Sequence, residues 1–181
     1  MKRSFVLSIA ISILFTAAPV NAIELGRNTK TISVGSSTWA VQALGQNQTP
    51  TNTAYTITWA VNRGTAYSFF VFRNTGSLTI TSFQATVTQV QIGGSGKPPD
   101  TNFDLCRNGT WDPATNLCSG TVVNIGSSAN LILSLAGLAL ASGSELSMRA
   151  TTKPNLQNAF TTTISVSVNR ANVRSGLTVN S

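Results

Sequence analysis

The chain has 181 residues, a formal charge of +7 and no histidine. Only 9% of its residues are charged, against about 25% in an average soluble protein, while 41% are hydrophobic. This composition excludes global disorder, and the missing histidine excludes Ser-His and Cys-His nucleophiles and the usual zinc sites.

The first 22 residues read as an export signal. Lys2 and Arg3 precede an apolar run from Phe5 to Phe15, and Val20-Asn21-Ala22 puts small residues where a signal peptidase cuts. The run is too short to span a bilayer and no stop-transfer segment follows it, so no membrane span is expected in the mature chain. No cysteine for lipid attachment follows the cut, and no hydrophobic tail closes the sequence. Removing 22 residues from 181 leaves 159, expected to form one domain over 23–181 in the extracellular space, on the cell surface or in the periplasm. There, ten basic residues against five acidic ones give +5, with no run of neighbours. That spread fits a mildly basic surface, weakly attracted to an anionic cell envelope, and speaks against nucleic acid as a partner.

Period-two patterning then recurs along the chain. Ile32 and Val34, then Trp39 and Val41, read as early strands. Tyr55, Ile57, Trp59 and Val61 share one face, with Thr56, Thr58 and Ala60 opposite. Tyr67 to Phe72 is apolar on both faces, as in a central strand. From Ser77 to Ile92 the apolar phase moves from even positions (Leu78, Ile80) to odd ones (Phe83, Ala85, Val87), which requires a bulge or bend near Thr81-Ser82. Leu131 to Leu140, interrupted by Gly137, is read as strand-turn-strand rather than a short helix. Leu146, Met148 and Ala150 alternate with Ser147 and Arg149. Phe160, Thr162, Ile164, Val166 and Val168 alternate with Thr161, Thr163, Ser165 and Ser167. Turn signals stand at Asn62-Arg63-Gly64, Asn74-Thr75-Gly76, Gly93 to Pro99, Gly126-Ser127-Ser128 and Ser142-Gly143-Ser144. Short strands at this spacing predict an all-β, antiparallel β-sandwich.

The longest stretch read as irregular runs from Gly93 to about Gly120 and holds both cysteines, Cys106 and Cys118. In an exported chain these are expected to form a disulfide, and closing so short a loop stabilises by roughly 3 kcal/mol. Their separation and the absence of histidine argue against redox or metal-binding thiols. Trp111 lies inside the ring, beside Asn108 and Asp112. These three are candidate ligand-binding residues on a rigid loop; the competing reading folds the indole back and makes the loop a lid. Asp100, Asn102 and Asp104 open like a calcium loop, but Leu105 stands where the glycine turn belongs and Trp111 where the bidentate Glu belongs. Polar turn residues are the favoured reading there, and neither metal nor cofactor is assigned. Ile92-Gly-Gly-Ser-Gly-Lys97 has Gln91 and Pro98 where a phosphate loop needs glycine and Ser or Thr, so it is read as a flexible turn.

The segment Tyr67-Ser-Phe-Phe-Val-Phe-Arg-Asn-Thr-Gly-Ser-Leu-Thr-Ile-Thr-Ser-Phe-Gln-Ala-Thr-Val resembles the "strand, Asn-Thr-Gly, strand" hairpin of bacterial secreted Ig-like domains. It is similar to those of cell-adhesion-type modules and camelysin-type biofilm fibre subunits. The resemblance implies an Ig-like sandwich with a structural or adhesive role, and it carries no catalytic residues. Together the readings predict a secreted, non-enzymatic structural or adhesive protein. Low charge leaves sheet edges poorly guarded. Self-assembly by strand addition is therefore expected, through Ile23 to Val34 or Phe160 to Val168, with cell-envelope components as alternative partners. The alternative function is a carbohydrate-binding module built on Trp111.

Overall fold

The computed structural model describes residues 38–51, 53–93, 97–169, 171 and 173–174. The chain divides into two units, Met1–Ser36 and Ser37–Ser181, and all of these residues lie in the second. The export signal, the strand expected at Ile32 and Val34, and Gly94-Ser95-Gly96 lie outside the described residues.

The described fold is all-β and antiparallel. A five-stranded sheet has the order β1 (Val41–Gly45), β3 (Tyr67–Asn74), β11 (Glu145–Thr152), β6 (Thr101–Arg107), β9 (Thr121–Ser128). A four-stranded sheet has the order β10 (Leu131–Leu135), β5 (Phe83–Gln91), β12 (Phe160–Ser167), β2 (Tyr55–Trp59). Two short ribbons accompany them: β4 (Thr79–Ile80) with β13 (Val173–Arg174), and β7 (Trp111–Asp112) with β8 (Leu117–Cys118).

Strand alternation decides what each sheet buries. Ile57 and Trp59 of β2, Phe83, Ala85 and Val87 of β5, and Phe160 and Ile164 of β12 point into one core. Phe70 and Phe72 of β3, Phe103 and Leu105 of β6, and Met148 and Ala150 of β11 meet them from the other sheet. Ring contacts join the layers: Tyr55 stacks on Phe70 at 5.6 Å, and Phe72 meets Phe83 edge-on at 5.1 Å. Each fully buried phenylalanine contributes about 1.5–3 kcal/mol of transfer free energy, so these rings dominate the packing.

One polar group of four residues interrupts this apolar layer. Gln89 Nε2 donates to Thr101 Oγ1 at 2.6 Å and to Thr162 Oγ1 at 3.0 Å, and Trp59 Nε1 donates to Thr162 Oγ1 at 2.9 Å. The bonds tie β5, β12 and β2 to β6 of the opposite sheet. Unlike apolar contacts they are directional, so they select one relative setting of the sheets.

The phase change near Thr81-Ser82 is a break between β4 and β5. There the chain leaves the short β4 ribbon, where Ile80 also pairs with Leu140, and enters the sheet containing β5. Leu131 to Leu140 is a strand and a turn but holds no second strand: β10 ends at Leu135, and Gly137 adopts φ 68° before Leu140 makes a single bridge to Ile80.

Three expectations are corrected. The stretch from Gly93 to Gly120 is not irregular throughout, because Thr101–Arg107 is an interior strand between β11 and β9. Gly126-Ser127-Ser128 is not a turn but the end of β9. Phe103 pairs with Gly126 and Asp104 with Asn124, so Ile125 is the extra residue of a bulge. Gly126 holds φ 154°, and a Cβ there would sit 2.9 Å from Leu131 Cδ2. Within Phe160 to Val168, the part from Phe160 to Ile164 is no free edge, because β12 pairs there with β5 on one side and β2 on the other.

Candidate functional site

Two surfaces are candidate sites, and the first gathers the side chains singled out by sequence. It is the outer face of the five-stranded sheet, covered by the β7–β8 hairpin. Asp112-Pro113 opens its turn with the residue types that such a turn favours. Asp112 Oδ1 accepts from the Ala114 amide at 2.9 Å, its Oδ2 accepts from Thr115 Oγ1 at 2.7 Å, and its carbonyl accepts from the Asn116 amide at 2.8 Å. The bonds from Thr115 and Ala114 hold the carboxyl below its ordinary value of 3.8, the Thr115 hydroxyl contributing most. Asn116 closes the turn at φ 56°. The Cys106–Cys118 disulfide then anchors the hairpin to β6.

Trp111 lies beneath this hairpin, only 3% exposed. Its amide donates to Ser147 Oγ at 3.0 Å, its carbonyl accepts from Gln46 Nε2 at 3.1 Å, and its ring lies 6.3 Å from that of Phe69. Arg149 fills the space between indole and sheet, with its guanidinium carbon 4.0 Å from the Trp111 ring centroid and 5.6 Å from that of Tyr67. One guanidinium nitrogen donates to Asp104 Oδ2 at 2.8 Å and another to Asn116 Oδ1 at 2.9 Å. Asp104 Oδ1 accepts from Asn124 Nδ2 at 3.0 Å.

These contacts redefine the candidate residues. Trp111 is a lid residue and offers no exposed ring to a sugar. Asn108 holds φ 57° at the neck of the loop, and Asp112 caps the turn. Asp100, Asn102 and Asp104 do not form a loop around an ion. Asn102 and Asp104 lie on β6, and Asp104 spends both carboxylate oxygens on Arg149 and Asn124. Among the described residues no group of three His, Cys, Asp or Glu side chains converges as a metal site.

The second surface had no local signal in the sequence. A groove of about 380 Å³ separates β1 from the C-terminal half of β12. Trp39, Val41 and Ala43 line one wall, and Ile164, Val166 and Val168 the other, and among the described residues no charged side chain lines it. It exists because β2 pairs only with Phe160 to Ile164, while β12 continues to Ser167. On the facing wall, the Thr75 amide donates to the Ala40 carbonyl at 2.9 Å. Antiparallel alternation then turns the backbone of Gln42 toward β3 and that of Val41 and Ala43 away from it. Trp39, 42% exposed, stands at the mouth.

No protein-family model matches the chain, and no curated protein matches its sequence.

Proposed function

We propose that this is a secreted, non-enzymatic structural protein of Ig-like type that polymerises by strand addition into the groove between β1 and β12. The observation that carries the reading is the edge itself. β1 is uncharged and unprotected by proline, it borders an uncharged groove, and its outward backbone groups suit an incoming strand. The edge strands β2, β9 and β10 are also free of charged residues, but β9 is bent by its bulge. The incoming segment is Thr31-Ile32-Ser33-Val34 of a second copy, whose alternation matches a half-buried strand. Export suits the disulfide, which persists in oxidising compartments. Three of the five acidic side chains serve structure: Asp104 binds Arg149, Glu145 binds Arg73, and Asp112 caps a turn. This favours a non-enzymatic reading over paired-carboxylate chemistry.

Light scattering and negative-stain imaging of the mature chain test the reading. Wild type should form ordered polymers. Ile32→Lys removes the donor and Val166→Lys the acceptor, so each alone should be monomeric, and a mixture should give dimers only. A monomeric wild type, or polymers in both variants, would overturn it.

A further inference from the structure

The outer face of the four-stranded sheet carries a regular grid of threonines. β2 presents Thr56 and Thr58, β12 presents Thr161 and Thr163, and β5 presents Thr86 and Thr88. The registers align them: Thr58 opposes Thr161, Thr163 stands between Thr56 and Thr88, and Ser165 opposes Thr86. Strand geometry therefore repeats a hydroxyl and a methyl at about 4.8 Å across the sheet and about 6.7 Å along each strand. Thr161 Oγ1 donates to the Val90 carbonyl at 3.4 Å, and none of the other hydroxyls in the grid bonds within the described residues. The other outward residues of these strands and of β10 are Gln84, Val90, Ile132, Ser134 and Ser167, so the face bears neither charge nor aromatic ring.

That combination fits few ligands. Sugars are gripped by aromatic platforms, nucleic acids by Lys and Arg, and protein partners by Tyr, Trp, Met and Arg. This face offers none of them. What it offers is a two-dimensional repeat of weak hydrogen-bonding groups alternating with methyls. Such a repeat gains only from a partner that is itself periodic and uncharged.

We infer that this face binds ice. The oxygens of an ice surface repeat at spacings close to the two of the grid, so hydroxyls and methyls meet the lattice row by row. A charged group would oppose this, because it holds its own hydration shell too strongly to surrender it. Adjacent strands rotate by about 20–25°, which confines the matched area to the three threonine strands. The expected effect is therefore inhibition of ice recrystallisation rather than a large depression of freezing.

The test is recrystallisation in a frozen solution of the mature chain, with folding of every variant checked by circular dichroism. Wild type should arrest grain growth. Thr163→Lys, at the centre of the grid and pointing outward, should raise the concentration required by an order of magnitude. Ser127→Lys, on the exposed side of β9 in the other sheet, should leave it unchanged. Monomeric Ile32→Lys should also remain active, since the grid lies within one chain and does not depend on polymerisation. Wild-type grain growth equal to that in a non-binding protein solution would overturn the inference, as would full activity in folded Thr163→Lys.

Discussion

Arg149 carries the weight of Trp111: its guanidinium carbon lies 4.0 Å from the indole ring centroid while the same group holds Asp104 at 2.8 Å. A charge, a counter-charge and an aromatic lid are thus stacked in that order on the outer face of the five-stranded sheet. Replacing Arg149 by alanine removes both the ring's support and the partner of a buried carboxylate. The expected loss is about 3 kcal/mol, measurable by denaturant unfolding. The double variant Arg149→Met, Asp104→Leu should recover most of it, because no charge is then stranded.

Trp111→Ala separates a lid from a binding platform. A lid residue buried this well costs about 3 kcal/mol when truncated, seen as a lowered denaturation midpoint. An unchanged midpoint would mean that the indole contributes little to packing and would reopen the sugar-binding reading.

Replacing Cys106 and Cys118 together by serine should cost roughly 3 kcal/mol but leave the sandwich folded. The disulfide lies on the face of the sheet opposite the core, so its loss frees the hairpin and leaves Phe70, Phe72 and Phe103 in place. Limited proteolysis should then cut between Asn108 and Ser119 and nowhere in β3 or β11.

Acid should loosen the same hairpin from its tip. The Asp112 carboxyl is held below 3.8 by bonds that form only in the folded turn, so their stabilisation is fully present above that value. It is lost as pH falls through the lower folded value. The Ala114 amide resonance should follow this titration, and Asp112→Asn should abolish its pH dependence.

Gly126→Ala tests the bulge of β9. The new methyl would meet Leu131 and the backbone would keep a positive φ that alanine resists, so a loss of about 1–3 kcal/mol is expected in thermal unfolding. Gly137→Ala, with φ 68° but open space around it, should cost less.

Most strands were legible because one face is apolar and the other polar, as in Phe160 to Ser167. β6 was not, since Asp100, Asn102 and Asp104 look like a polar turn until Arg149 and Asn124 are brought onto Asp104 from other strands. Gly126-Ser127-Ser128 carries turn residues for a different reason, a bulge against Leu131. Trp111 could be read either way, because only the fold decides whether a loop lies down or stands out. The groove depended on strand order, which pairs Tyr55 with Ile164 across more than half the chain, and no local pattern encodes that.

The interior position of β12 also sets a timetable. Both of its neighbours, β2 and β5, leave the ribosome first and must wait for it with their facing edges bare. Pairings of such long sequence separation form slowly, and an incomplete sheet invites strands from other molecules. Every newly made chain therefore passes through a kinetic contest, in which its own β12 races a neighbour's strand for the same vacancy. Slow delivery of the C-terminal residues, as by sluggish translation, should tilt that contest toward misassembled aggregates.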